Sequence, residues 1–432
     1  MKKFFEWLFS MQLTVILLLM FAISAGMATF IENDFGTSAA RTAVYGAAWF
    51  EFLLVLLAVN LGGSIIVNRL WQRRKYFIFG FHLSFIVILI GAGITRYFGT
   101  EGMLHIREGE ASSEMVSEHA YITAKYNHGN SYTTVSRQVL MSGWGKNNFS
   151  FSFDLNGKGV DIETVEFIPN AAMVVTKSPD GEPIASLVVV NSLGRQTLVL
   201  KEGDRKNIGD MTISFGNSQG STNITLLAEN ERIYMVSPIP VATTGMQEQI
   251  TDSIPAFSKF ELKPMQFYQA GGNRIVLRSF EPSGILRPVT GSGGDKERSG
   301  LDAIRVSVTV DDNTEEVIVW GKRGIVGEFE PVQAGGLNFG LAYGSNPIKL
   351  PFKIKLNRFI LDRYPGSNSP SSYASEVTLI DESQGVTFDY RIFMNHILKH
   401  RGYRFYQSSY DTDERGTILS VNYDGLGTTI TY

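Results

Sequence analysis

An imidazole stands where the surrounding sequence suits hydrocarbon. His82 lies six residues beyond the start of YFIFGFHLSFIVILIGAGIT (76–95), a run without an acidic or basic residue. An ionisable side chain among lipid tails costs free energy, so it marks a partner or a cavity by default. The neutral ring is the commonest protein ligand for a metal or haem iron. A hydrogen bond to Ser, Thr or Asn of a neighbouring helix is the alternative that the residue type leaves open. At a rise of about 1.5 Å per residue, His82 sits roughly 9 Å along a helix from its start. Arg73, Arg74 and Lys75 immediately precede that start; they could pair with the anionic groups of a ligand or serve only to orient the chain.

The other candidates lie outside apolar sequence. His105, Arg107 and Glu108 fall in EGMLHIREGE (101–110), just past the third apolar run. They offer polar contacts to a partner at the membrane surface, with Gly99, Gly102 and Gly109 permitting close backbone approach; a plain linker is the alternative. His396 and His400 in MNHILKH (394–400) have i, i+4 spacing, which predicts a short solvated helix carrying both on one face and leaves metal binding open. Glu51, near the outer end of the second span, could be catalytic, but is expected to be interfacial, hydrated or paired with Arg41 or Arg96. There is no cysteine, so the chain has no disulfide, thiol exchange or thiolate metal ligand.

Three spans must position His82. The apolar runs are 11–31, about 48–68 and about 76–98, each long enough to cross about 30 Å of hydrocarbon. The length of the first run and the two spans after it favour a retained helix over a cleaved signal peptide. Ala22, Ala25, Gly26 and Ala28, with Gly91 and Gly93, predict close helix packing. Lys2, Lys3, Arg69, Arg73, Arg74 and Lys75 flank one side of the membrane, whereas the 32–47 loop carries Glu32 and Asp34 against Arg41. The positive-inside rule then puts the N-terminus and the basic loop in the cytoplasm and everything after the third span outside.

Residues 1–98 hold 8 Lys/Arg against 4 Asp/Glu, and 99–432 hold 31 against 38. The sequence therefore divides into a membrane domain (1–98) and an extracytoplasmic domain (99–432). At −7 with no basic run, the second part is no nucleic-acid binder. AIRVSVTV (303–310) and EEVIVW (315–320) flank DDNT as a hairpin. FDYRIFM (388–394), GYRFYQSSY (402–410) and TILSVNYD (417–424) alternate as strands do. The expected fold class is a three-helix membrane anchor followed by a large, mainly antiparallel β-domain, with a mobile loop at 286–300 and irregular structure at 237–257. No phosphate loop, histidine cluster or hydrolase-like motif accompanies it.

Several segments together resemble the ResB family, also called CcsB, of System II cytochrome c biogenesis. They are FIENDFGT (30–37), GFHLSFIVILIGAGIT (80–95), GTEGMLHIREGE (99–110), FILDRYPGSNSPSSYASEVTL (359–379) and GYRFYQSSYDTDERGTILSVNYD (402–424). They keep family order over nearly the whole length, while 130–350 carries little of the signal. The resemblance implies a multi-pass protein of the bacterial cytoplasmic membrane that partners CcsA. Together the two would export haem and present it to the CxxCH motifs of apocytochrome c. It implies that His82 is one axial ligand of a b-type haem in the membrane, the other coming from a CcsA helix, with Arg73, Arg74 and Lys75 as candidates for the propionates. No tryptophan-rich motif is present, so the resemblance implies a subunit of a holocytochrome c synthase that is not catalytic alone. Family members usually continue into a fourth span after the GYRFYQSSYD segment, and here GLGTTITY (425–432) follows. A non-catalytic scaffold that holds apocytochrome or CcsA without binding haem remains the competing reading.

Overall fold

The computed structural model describes residues 2–72, 74–128, 131–145, 147–192, 194–209, 211–216, 224–244, 250–291 and 300–431. Three long apolar helices come first, as expected: Met11–Phe35, Ala48–Val67 and Tyr76–Phe98. Ser10 caps the first, its hydroxyl accepting from the Leu13 amide at 3.2 Å. That helix runs past its apolar stretch through Glu32 and Asp34 and stops at Gly36, whose φ of 83° closes the turn without a Cβ penalty. Leu13, Leu17, Ala28, Phe50, Leu53 and Leu57 form the contact between the first two spans. Of the small residues predicted to allow close packing, Ala28 is fully buried and Gly91 is buried, whereas a Cβ at Gly26 or Gly93 would meet nothing within 4 Å.

By contacts the chain forms two compact units, Met1–Ala171 with Gly291–Tyr432, and Ala172–Thr290. The first contains the helices and two sheets. Its ten-stranded sheet runs in the order Val386–Phe393, Pro370–Asp381, Leu337–Arg363, Ala111–His128, Thr100–Arg107, Gly416–Tyr423, Tyr403–Tyr410, Leu398–His400, with Glu330–Ala334 and Ser131–Val139 paired at its flank. Among the described residues its strand pairings are antiparallel, as alternation predicts. Phe388, Tyr390 and Ile392 share the inward side of their strand. The sheet curls on itself, so that the Ser375 hydroxyl donates to Gln407 Oε1 at 2.6 Å and the Tyr373 hydroxyl to the Ser408 carbonyl at 3.2 Å. Leu104, Ile106, Ile354, Val377, Phe405 and Leu419 fill the space enclosed. A four-stranded sheet, which includes the hairpin Asp302–Val310 and Asn313–Gly321, closes over Ile122, Leu341 and Phe339 in a second core.

The second unit has a five- and a six-stranded sheet around Leu187, Leu200, Phe215, Leu226, Met235 and Tyr268. Among the described residues Met211–Phe215 and Ile224–Glu229 pair in parallel, and Pro264 and Leu277 form an isolated parallel bridge. Residues 99–432, long enough for one large core or two ordinary ones, contain this unit as an inserted stretch whose strands alternate as those on either side do. Two expected loops are also partly strand. Residues 286–290 finish the strand Asn273–Thr290, and 292–299 lie outside the described residues. Within 237–257, Val241–Thr244 and Ile250–Ile254 pair, with 245–249 outside the described residues.

The helix expected to carry His396 and His400 is absent. Met394–Ile397 form a tight turn, in which the Phe393 and His396 amides each donate to the other residue's carbonyl at 3.2 and 2.9 Å, and Leu398–His400 is a strand. Asn395 turns the chain with φ 61°, a conformation that Asn tolerates better than most residues. The two histidines consequently point to different places.

Candidate functional site

His82 is on the third span, and its protonation pattern can be read from its partner. Nδ1 lies 2.9 Å from the carbonyl oxygen of Ile78, one turn back. A carbonyl only accepts, so a neutral ring making this bond has its proton on Nδ1 and its electron pair on Nε2. Phe81 meets the ring edge-on at 6.1 Å, and Phe85 meets Phe81 at 5.0 Å. Around this nitrogen the helix is little covered by its own chain: Gly91 is its buried residue, and Phe77, Phe81 and Phe85 are exposed. A neutral imidazole held in this way has the chemistry to take a metal or a haem iron at Nε2.

The basic loop contributes less than its composition suggests. Lys75 Nζ donates to the Asn68 carbonyl at 3.0 Å, placing a cation at the C-terminal end of the second span, where the helix dipole favours it. Arg74 is exposed, and Arg73 lies outside the described residues. At the other membrane surface Arg96 pairs with Glu51, one of the two partners expected, and donates to the Tyr45 carbonyl at 2.6 Å. Arg41 instead lies 3.7 Å from Glu118, as does Arg323.

His105, Arg107 and Glu108 are brought into one network with residues far along the chain. Asp411 accepts from His105 Nε2 at 2.9 Å and Arg107 Nη1 at 2.7 Å, and Arg107 also bonds Asp413. The Arg107 hydrogen bond holds the Asp413 carboxyl below its ordinary range, helped by the Arg415 amide. Glu108 Oε1 accepts from the Phe359 amide at 2.6 Å. Gly416 makes this possible, since a Cβ there would fall 2.0 Å from Asp411 Oδ2. His105 and Arg107 therefore hold the 411–416 turn against the first strand, while the Glu108 side chain fastens the backbone at Phe359. His105 is five strand residues beyond Thr100, about 17 Å along the chain at about 3.3 Å per residue. The residues that meet the span ends are others: Asp424, whose Oδ2 accepts from the Thr95 hydroxyl at 2.5 Å, and Trp144, 6.1 Å from Phe35.

The two C-terminal histidines are structural. His396 is stacked between Tyr390 and Phe393, at 4.9 and 4.6 Å, with Nδ1 donating to the Arg391 carbonyl at 2.8 Å. His400 Nε2 donates to fully buried Asp381 at 2.9 Å, beside Arg401 at 3.2 Å. Hydrogen bonds from Ser383, His400 and Arg401 hold the Asp381 carboxyl well below the usual carboxylate range, against desolvation. Burial, reinforced by Arg41, lowers the His119 pKa. Sequence reasoning missed Asn60, Asp381 and Asp411. Asn60 carried a signal, being a polar side chain inside an apolar run.

Residues 325–429 match the model of the ResB-like family. Over 426 residues the chain is 31% identical to Protein NrfI of Wolinella succinogenes, an alignment covering 98% of this chain and 33% of that protein. The chain thus spans about a third of the length of the curated relative it matches.

Proposed function

On the premise that this is a ResB-like chain, we propose that it works in cytochrome c biogenesis as a membrane subunit that delivers haem. The observation carrying this reading is the His82 ring: Nδ1 is fixed by Ile78, which leaves the electron pair of Nε2 facing an apolar span. Haem is the cargo, and its iron would take His82 at one axial position. The hydrogen bond from Nδ1 fixes the tautomer and makes Nε2 a stronger donor. Phe81 and Phe85 supply an apolar wall and keep water away from the ring. The second axial ligand comes from a partner helix of the CcsA type, laid against the uncovered side of the third span. The β-domain faces the outside, where apocytochrome c arrives, and the basic loop faces the cytoplasm. Arg73 and Arg74 remain candidates for the propionates; Lys75 is engaged with Asn68.

The test is cytochrome c maturation in cells that carry His82→Ala as their only copy of the chain. Maturation should be lost at an unchanged level of the protein and partly return when imidazole is added to the medium, because the small base can occupy the vacated position. Full maturation by the variant would leave His82 as packing and favour the scaffold reading.

A further inference from the structure

The first residues do not simply prolong the first span. Lys2–Leu8 is a separate helix, KKFFEWL, and the chain breaks at Phe9 and Ser10 before Met11–Phe35 begins. At 3.6 residues per turn, Phe4, Phe5, Trp7 and Leu8 fall within an arc of about 160°, with Lys3 and Glu6 on the other side. Phe4, Phe5 and Trp7 are 59%, 49% and 55% exposed, so the chain does not cover its own apolar arc.

The break is held in place from the second span. Asn60 is fully buried there. Its Nδ2 donates to the Leu8 carbonyl at 2.7 Å and the Ser10 carbonyl at 3.3 Å, and its Oδ1 accepts from the Thr14 hydroxyl at 2.6 Å. Beside it the Phe9 ring lies on Gly63, where a Cβ would sit 1.8 Å from a ring carbon. A polar side chain inside a span is costly and normally carries a function. Here it satisfies the Leu8 carbonyl, which the helix break leaves open, and adds a donor to the Ser10 carbonyl, which also accepts from the Thr14 amide at 3.2 Å.

We propose that Lys2–Leu8 is an interfacial foot lying in the headgroup–acyl boundary of the leaflet opposite the β-domain, and that Asn60 is the positioning residue that sets its angle. Connectivity identifies the occupant of the exposed arc. The helix joins directly to a membrane span at the end remote from the Arg41–Glu118 contact, so the lipid surface is the apolar phase within reach. A short helix with aromatic residues on one side and charge on the other lies in that boundary, with its rings among the upper acyl chains.

The chain has no cysteine, so one introduced thiol gives one label. Phe5→Cys and Lys3→Cys, each in the full chain and carrying an environment-sensitive fluorophore, are compared in vesicles of phosphatidylcholine and phosphatidylglycerol. The probe at 5 should be quenched by spin-labelled lipid and shielded from aqueous iodide, and the probe at 3 should behave in the opposite way. Equal iodide quenching at both positions would overturn the foot. Adding Asn60→Leu to the Phe5→Cys chain should reduce lipid quenching and raise iodide quenching; unchanged quenching would remove the positioning role from Asn60.

Discussion

Asp381 is fully buried and accepts hydrogen bonds from Ser383, Gln384, His400 and Arg401. Its carboxyl is depressed in the fold relative to an unfolded value of about 3.9. The unfolded chain therefore binds the proton more readily. Asp381 contributes stability that is fully present above about pH 4 and is lost as pH falls through the folded value. Asp381→Asn should lower the melting temperature at neutral pH, and the gap to the parent should narrow as pH drops below about 4. Melting curves of the full chain in detergent would show this; an equal gap at pH 7 and pH 3 would contradict it. Neither Asp381 nor Asp411 was legible in the sequence, because His400 is 19 positions from the first and His105 is 306 from the second. His82 was legible, since its hydrocarbon setting is written in the adjacent residues and its hydrogen-bond partner is four positions away.

At the scale of elements, the apolar runs and alternating strands were read directly, and the hairpin Asp302–Val310 with Asn313–Gly321 follows its DDNT turn. The expected helix around His396 failed because i, i+4 spacing fits a helix and a hairpin tip equally well. A left-handed residue decided for the hairpin. Asn395 at φ 61° makes the tip, so its replacement should sort by backbone tolerance. Asn395→Gly should leave the melting temperature nearly unchanged. Asn395→Val should cost about 1–2 kcal/mol, the penalty for placing an ordinary L residue in that region. Equal melting temperatures for the two variants would argue against the turn. The first helix continues past residue 31 because Glu32 and Asp34 tolerate helical geometry beyond the hydrocarbon; only Gly36 stops it.

For the whole molecule, the unit Ala172–Thr290 enters and leaves the first unit at adjacent points: the Gly291 amide donates to the Asn170 carbonyl at 2.9 Å, and the Ala171 amide to the Leu301 carbonyl at 2.8 Å. An insertion with hydrogen-bonded ends can be removed at little cost in loop closure. Replacing 172–290 by a short glycine–serine turn should leave a protein that inserts in the membrane; loss of the protein from the membrane would contradict this. Periodicity did not reveal the boundary, because strands on its two sides have the same alternation. A reporter whose folding requires export, fused after residue 110, should be active, as the charge asymmetry of the loops demands; activity only of a cytoplasmic reporter there would reverse the orientation and the direction of haem delivery. The proposed haem delivery rests on His82 Nε2 as a ligand of the iron. The most direct measurement is the haem content and ligand-field spectrum of the complex purified with its membrane partner, before and after His82→Ala. The parent should show a six-coordinate low-spin spectrum and the variant should lose haem, with both content and spectrum recovering when imidazole is present during purification. The same haem content and spectrum in the variant, at equal protein level and without imidazole, would contradict it.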